Sequence, residues 1–233
     1  MSEAVRLPLE KNEPIVPLIL KEKIRGEGVF GIWEIDETDA FFEALLDLSP
    51  EENREVQQLT SRRRTEWLAS RWLLHIISGR AARGILVKDE FGKPHLAGSK
   101  WYISISHTHQ YTAAIAAPFL VGIDIQVRVE KITRIAKKFL SAHEAENVTG
   151  QRPIDYMHIY WGAKECLYKA YGRRVLDFKK DLRIDAFNIE LERTSGAILK
   201  GINQRFDLHF KVHKPYILVL ALENNSNETH IQS

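Results

Sequence analysis

The amino-acid sequence predicts an α+β chain made of two α+β halves. The first observation is the order of its hydrophobic periods, which run strands, helices, strands, and then helices and strands again. The second is a changeover near Pro118–Val121. It sets expected boundaries of 1–119 for an N-terminal half, 120–222 for a C-terminal half and 223–233 for a polar tail. The third is size: 233 residues, 44% of them hydrophobic, suffice for one large core or two smaller ones. No residue-level repeat relates the halves.

The elements follow in order. Pro14–Leu20 is a β-branched and leucine run, and Pro17 inside it marks an edge strand. Gly28–Ile35, rich in β-branched and aromatic residues, reads as a second strand. Phe41, Phe42, Leu45, Leu46 and Leu48 form a helical stripe within Asp39–Leu48. Ser49 can cap a further helix, with Pro50 at its first position and Glu52 three residues after the cap. A longer helix runs from about Arg62 to Ser78 and stops at Gly79, with Trp67, Leu74 and Ile77 on its apolar face. Gly92-Lys93-Pro94 is a turn. Trp101–Ser106 and Tyr111–Ala117 are a strand pair joined by Ser106-His107-Thr108-His109-Gln110. Val121–Gln126 is a short buried strand, Ile132–Leu140 and Ala142–Val148 are short helices, and Ile154–Tyr171 is a long one. Leu182–Leu191, Gly196–Ile202, Asp207–Val212 and Tyr216–Leu222 read as closing strands, and the Asn-rich tail from Glu223 as disordered.

Several function classes are disfavoured by the totals. A formal net charge of +2 with 27% charged residues is not the strongly basic balance of a nucleic-acid binder. Arg62-Arg63-Arg64 and Lys137-Lys138 lack interleaved aromatics and read as solvated helix faces. The one cysteine, Cys166, rules out an intrachain disulfide and a Cys-rich metal cage. His143, His158, His209 and His213 show no metal-ligand spacing. Glu3, Arg6, Glu10 and Lys11 leave no apolar signal-peptide core, and no run reaches the roughly 18 apolar residues of a membrane span. A cytoplasmic protein is the expectation.

Two stretches carry candidate chemistry. Strand alternation puts Val121, Ile123 and Ile125 on one face and Gly122, Asp124 and Gln126 on the other. An acid among apolar neighbours needs a partner, and a cationic side chain or a metal ion both serve. In the long helix, Ile159, Ala163, Cys166 and Ala170 share one stripe, with Trp161, Glu165, Lys169 and Gly172 opposite. Glu165 and Lys169, one turn apart, fit either a solvated ion pair or a site. Two carboxylates from separate elements are a minimal recipe for a divalent cation, and lysines beside them point to a phosphate. Ser106-His107-Thr108, read as a hairpin tip with two hydroxyls and an imidazole, suits a phosphate as well as it suits an ordinary polar turn.

Taken as an ordered set, these residues resemble the 4′-phosphopantetheinyl transferases of the longer, Sfp-type branch. The resemblance rests on Gly92-Lys93-Pro94, Ile105-Ser106-His107-Thr108, Gly122-Ile123-Asp124 and Trp161-x-x-Lys164-Glu165-x-x-x-Lys169-x-x-Gly172. It implies two similar α+β halves with the active site at their interface. It also implies Mg²⁺-dependent transfer of 4′-phosphopantetheine from coenzyme A to a serine of an apo acyl or peptidyl carrier protein, with release of adenosine 3′,5′-bisphosphate. On that resemblance Asp124 and Glu165 hold the Mg²⁺, Glu165 takes the serine proton, and Lys169, assisted by Lys164, holds the pyrophosphate. His107, with Ser106 or Thr108, binds the 3′-phosphate, and Lys93 and Arg64 hold the nucleotide phosphates. A monomer without nucleic-acid or membrane partners is expected. Many members of the branch carry a second acid two residues after the aspartate, where this chain has Gln126. Gln126 is therefore expected as a neutral third metal ligand, or as a place filled by water. That departure alone favours the alternative, a non-catalytic carrier-protein or nucleotide-binding module of the same fold.

Overall fold

The structure, a computed structural model, describes residues 18–108, 110–173, 175–201 and 203–224. The chain divides after Pro118 into two units.

The first unit opens with β1 (Leu18–Lys23) and β2 (Val29–Glu34), followed by α1 (Asp39–Leu45), α2 (Pro50–Gln57) and α3 (Ser61–Ser78). A short hairpin, β3 (Leu86–Lys88) with β4 (Pro94–Leu96), leads to β5 (Tyr102–Thr108) and β6 (Tyr111–Ala117). Strands β1-β2-β6-β5 form one antiparallel sheet in that order. The predicted cap of α2 forms a full capping box: the Ser49 hydroxyl accepts from Glu52 N–H at 3.2 Å and the Glu52 carboxylate accepts from Ser49 N–H at 3.0 Å. The apolar face of α3 packs on β2, β5 and β6. Leu68, Leu73 and Ile77 there join Trp33, Phe42, Ile103 and Ala114 in one core.

The second unit begins with β7 (Val121–Gln126). A 3₁₀ turn at Glu130–Arg134 precedes α4 (Ala136–Phe139), α5 (Ala142–Asn147) and α6 (Pro153–Tyr171). The chain closes through β8 (Leu182–Ile184), β9 (Arg193–Ile198), β10 (Gln204–Val212) and β11 (Ile217–Glu223). Among the described strands the sheet order is β7-β11-β10-β9-β8, with β7 paired to β11. Helix α6 covers β7 and β11 and buries Ile159, Ala163, Cys166 and Ala170, the stripe read from the sequence, against Val219, Ala221 and Phe206.

Several expectations are corrected. Ser106, His107 and Thr108 are not a hairpin tip: their backbone continues the ladder opposite Ala113, Thr112 and Tyr111, so β5 runs through Thr108. The expected strand Leu182–Leu191 keeps only its first three residues, because the chain turns into a 3₁₀ segment at Ile189–Leu191. Ile132–Leu140 is a 3₁₀ turn followed by one α turn. The expected helix Asp39–Leu48 ends at Leu45, where Leu46 turns to extended backbone. Glu223 is the last residue of β11, with its carboxylate accepting from Leu120 N–H at 2.9 Å. The expected start of the first strand at 14–17, His109, Ile202 and the tail at 225–233 lie outside the described residues. No described helix is long and apolar enough to cross a membrane.

Candidate active site

The second unit gathers Asp124, Gln126, Glu165 and Lys169 at the contact of β7 with α6. Two glycines make that contact possible. A Cβ on Gly122 would lie 2.1 Å from the Cys166 carbonyl oxygen, so only glycine lets β7 approach the helix this closely. A Cβ on Gly162 would lie 2.7 Å from Gln126 Nε2 and 3.4 Å from Asp124 Oδ2. The two carboxylates thus sit on backbones held together without intervening side chains.

Asp124 is buried. Its Oδ1 accepts from Lys169 Nζ at 2.8 Å and its Oδ2 from Gln126 Nε2 at 3.2 Å. Lys169 Nζ donates also to the Ile123 carbonyl at 2.9 Å. Burial works to lower the Lys169 ammonium, but the carboxylates of Asp124 and Glu165 outweigh it and hold the group above its ordinary value. Glu165 lies half-buried one turn before Lys169, and its carboxylate makes no hydrogen bond or ion pair with the described residues. Burial pushes its carboxyl up, Asp124 adds to the rise, and Lys169 opposes it. The one ammonium of the cluster, Lys169, is hydrogen-bonded to Asp124 and makes no ion pair with Glu165 among the described residues.

Gln126 is held on both ends of its amide. Nε2 donates to the His158 carbonyl at 2.9 Å as well as to Asp124, and Oε1 lies 2.6 Å from His158 Nδ1. His158 is buried, and desolvation depresses its imidazole below the usual histidine range.

Lys164 requires a correction. It is 0% exposed, and its ammonium donates to Glu144 at 2.6 Å and to the carbonyls of Phe139 and Phe178, each at 2.7 Å. All three N–H groups are used. Lys164 is a structural cation that ties α6 to α5 and cannot assist with a phosphate. Its neighbours at i−4 and i+3, Tyr160 and Leu167, are large hydrophobic residues, a sequence signal for the buried face on which both are found. Trp161, on the stripe with Glu165, packs against Phe139 and Phe178, not solvent.

In the first unit the residues expected to bind phosphates are spread over three elements. Strand alternation sets exposed His107 on the face opposite buried Ser106 and its neighbour Thr108, so the three do not converge. His107 Nδ1 lies 3.0 Å from Glu66 Oε2, and Arg62 Nε holds the other oxygen of Glu66 at 3.0 Å. Glu66, which the sequence reading passed over, is the buried group that aims the His107 ring. Lys93 sits on the β3–β4 hairpin, whose turn is held by Asp89 Oδ1 accepting from Phe91 N–H at 3.0 Å and Lys93 N–H at 2.8 Å. Burial lowers the Lys93 ammonium, against the pull of Asp89. Arg64 turns to α1, where it pairs with Glu43 and, at 3.5 Å, with Asp39.

A sequence profile of the 4′-phosphopantetheinyl transferase superfamily matches residues 120–222, which hold β7 and α6. A profile of the 4′-phosphopantetheinyl transferase N-terminal domain matches residues 51–117. The chain belongs to the 4′-phosphopantetheinyl transferase superfamily. It is also 28% identical over 108 residues to a 4′-phosphopantetheinyl transferase of Bacillus subtilis, a match that takes in 45% of this chain and 46% of the relative. The matched segment thus spans about half the length of that relative. The superfamily match falls on the unit whose carboxylates were built up above.

Among the described residues no group of three or more His, Cys, Asp or Glu side chains is arranged to hold a metal ion. The donor set nonetheless fits a hard divalent cation of the Mg²⁺ class. Asp124 and Glu165 are oxygen donors from two elements, and no hydrogen bond or ion pair to a described residue occupies the Glu165 carboxylate. Such an ion takes few protein ligands when a substrate phosphate supplies the rest.

Proposed function

We propose that this protein transfers 4′-phosphopantetheine from coenzyme A to a serine hydroxyl of an apo acyl or peptidyl carrier protein, releasing adenosine 3′,5′-bisphosphate. Membership of the superfamily supports the reaction class. The observation that carries the reading is the pair Asp124 and Glu165, from two elements, with Glu165 left without a counter-charge of its own.

In this reading Asp124 and Glu165 would hold Mg²⁺, which neutralises pyrophosphate charge when bound. The chain's own residues do the rest. Lys169, fixed on Asp124 and the Ile123 carbonyl, sets a fixed positive charge beside the pyrophosphate. Glu165 accepts the serine Oγ proton as the oxygen–phosphorus bond forms and the bridging bond of the pyrophosphate breaks. A carboxyl raised by burial is a stronger base than a solvated one, which suits that task. His107, aimed by Glu66, and Lys93 contact the phosphates of the nucleotide portion. Ser106, Thr108 and Arg64 are supporting groups at most, given where their side chains are engaged or face.

The test is a mass measurement. Purified protein, coenzyme A, Mg²⁺ and a generic apo acyl carrier protein should add one phosphopantetheine to the carrier. The gain should vanish with Asp124→Ala and with Glu165→Ala. Absence of any gain across several fatty-acid, polyketide and peptide carriers overturns the enzyme reading in favour of a non-catalytic module.

A further inference from the structure

The polar contacts around Gln126 define a role different from that of a third metal ligand. Gln126 Nε2 lies 2.9 Å from the His158 carbonyl oxygen and 3.2 Å from Asp124 Oδ2, both acceptors, while Oε1 lies 2.6 Å from His158 Nδ1. The opposite amide orientation would set an oxygen 2.9 Å from a peptide carbonyl oxygen. A cation could relieve a clash with Asp124, but not one with that carbonyl, which belongs to the backbone of α6. The orientation with the amide NH₂ toward Asp124 is therefore the one the fold accepts.

That orientation fixes the histidine. Since Gln126 presents its oxygen, His158 must carry its proton on Nδ1, and Nε2 is then an acceptor for Val129 N–H at 3.0 Å. The result is one directed chain from Val129 N–H through His158 and Gln126 to Asp124 Oδ2. Arg128, between the two ends, is bound to Asp155 of α6 at 2.6 Å. The end of β7 and the segment that follows it are thus fastened to α6 at Asp155 and His158.

We propose that Gln126 and His158 are positioning residues that orient Asp124 for its cation, and that Gln126 does not ligate the ion. The proposal rests on the cation-binding reading of Asp124 and Glu165. It replaces a charged ligand by a neutral relay: the amide holds Asp124 Oδ2 in place, and the imidazole fixes the amide. Loss of such an outer partner typically weakens metal binding by ~10-fold or more.

The first test uses wild-type, full-length, ¹⁵N-labelled protein and long-range ¹H–¹⁵N correlation of the histidine rings, with His158 assigned through His158→Phe. The expected result is a neutral ring protonated on Nδ1, unchanged by Mg²⁺ with adenosine 3′,5′-bisphosphate. A ring protonated on Nε2, in either state, overturns the proposal, because Nε2–H would donate to the Val129 carbonyl, also 3.0 Å away, and release the Gln126 oxygen. The second test titrates Mn²⁺ by electron paramagnetic resonance in the presence of coenzyme A. Gln126→Leu and His158→Phe should each weaken Mn²⁺ binding ~10-fold, and the double variant no further, since both break one chain. Weakening by Gln126→Leu with no effect of His158→Phe would make Gln126 a direct ligand and sink the proposal. Wild-type protein that binds no Mn²⁺ even with coenzyme A overturns the cation-binding reading itself, and with it the purpose of the relay. The ring tautomer, read without metal, tells that failure apart from an error in the hydrogen-bond chain.

Discussion

Helices α3 and α6 are a natural pair for comparison. Each is the long helix of its unit, packs on an antiparallel sheet, and ends on a left-handed glycine, Gly79 at φ 64° and Gly172 at φ 70°. Each also carries a glutamate close to the sheet. On α3, Glu66 is buried and matched: Arg62 takes one oxygen and His107 the other. On α6, Glu165 makes no side-chain hydrogen bond or ion pair with the described residues, and burial lifts its carboxyl. A carboxylate whose charge the protein has already met does structural or orienting work. In the proposed reading, one whose charge is unmet is where a cation from outside would be held. The same contrast recurs within α6, where Lys164 is consumed by the fold and Lys169 borders the site.

The comparison can be broken most directly at the acids. Asp124→Asn and Glu165→Gln should each lower the transfer rate by about 10³-fold, read by carrier mass gain, with the fold intact by circular dichroism. A similar loss from Glu66→Gln would erase the distinction between the two glutamates. Next in size is Lys164→Met, which leaves Glu144 buried without its cation. It should cost about 3 kcal/mol in urea unfolding while surviving protein transfers at the wild-type rate. A specific loss of rate without loss of stability would restore Lys164 to the site. Gly122→Ala should cost about 2 kcal/mol, because a Cβ there meets backbone, not a flexible side chain. Glu66→Gln should reduce the preference for coenzyme A over dephospho-coenzyme A about fivefold by calorimetry, roughly 1 kcal/mol for a charged hydrogen bond to His107.

The smallest effect concerns pH. In metal-free protein the folded Glu165 carboxyl titrates above its unfolded value, so the folded state binds more protons between the two. Stability therefore falls as pH rises through that window, and the penalty is fully present only above the folded value. Glu165→Gln removes it. The variant should melt above wild type at pH 7 in EDTA, and the two should converge as pH falls below the ordinary glutamate range. Coincident melting curves at both pH values would show that Glu165 is well solvated.

Much of this was legible in the sequence because it rests on local periodicity. Alternation in Val121–Gln126 and the 4, 3, 4 spacing of Ile159, Ala163, Cys166 and Ala170 located the strand and the helix with its buried stripe. What remained hidden depends on contacts distant in sequence. The fate of Lys164 depends on Glu144, and Gln126 is oriented by His158, 32 residues later. Ser106-His107-Thr108 has the polar composition of a tip, yet backbone pairing, which side chains do not announce, carries the strand through it. The β3–β4 hairpin was seen only as its turn, since strands of three residues leave too short a pattern.

Cys166 gives the molecule a reporter of its own motion. The chain's one thiol lies fully buried on the hidden side of the helix that presents Glu165, with Sγ donating to the Val219 carbonyl at 3.2 Å. Burial pushes the thiol up, so reactive thiolate is scarce until the helix lifts from the sheet. The rate at which a disulfide reagent consumes it is then a clock for that opening. Any ligand that braces α6 against β7 will slow the clock, with no label added to the protein.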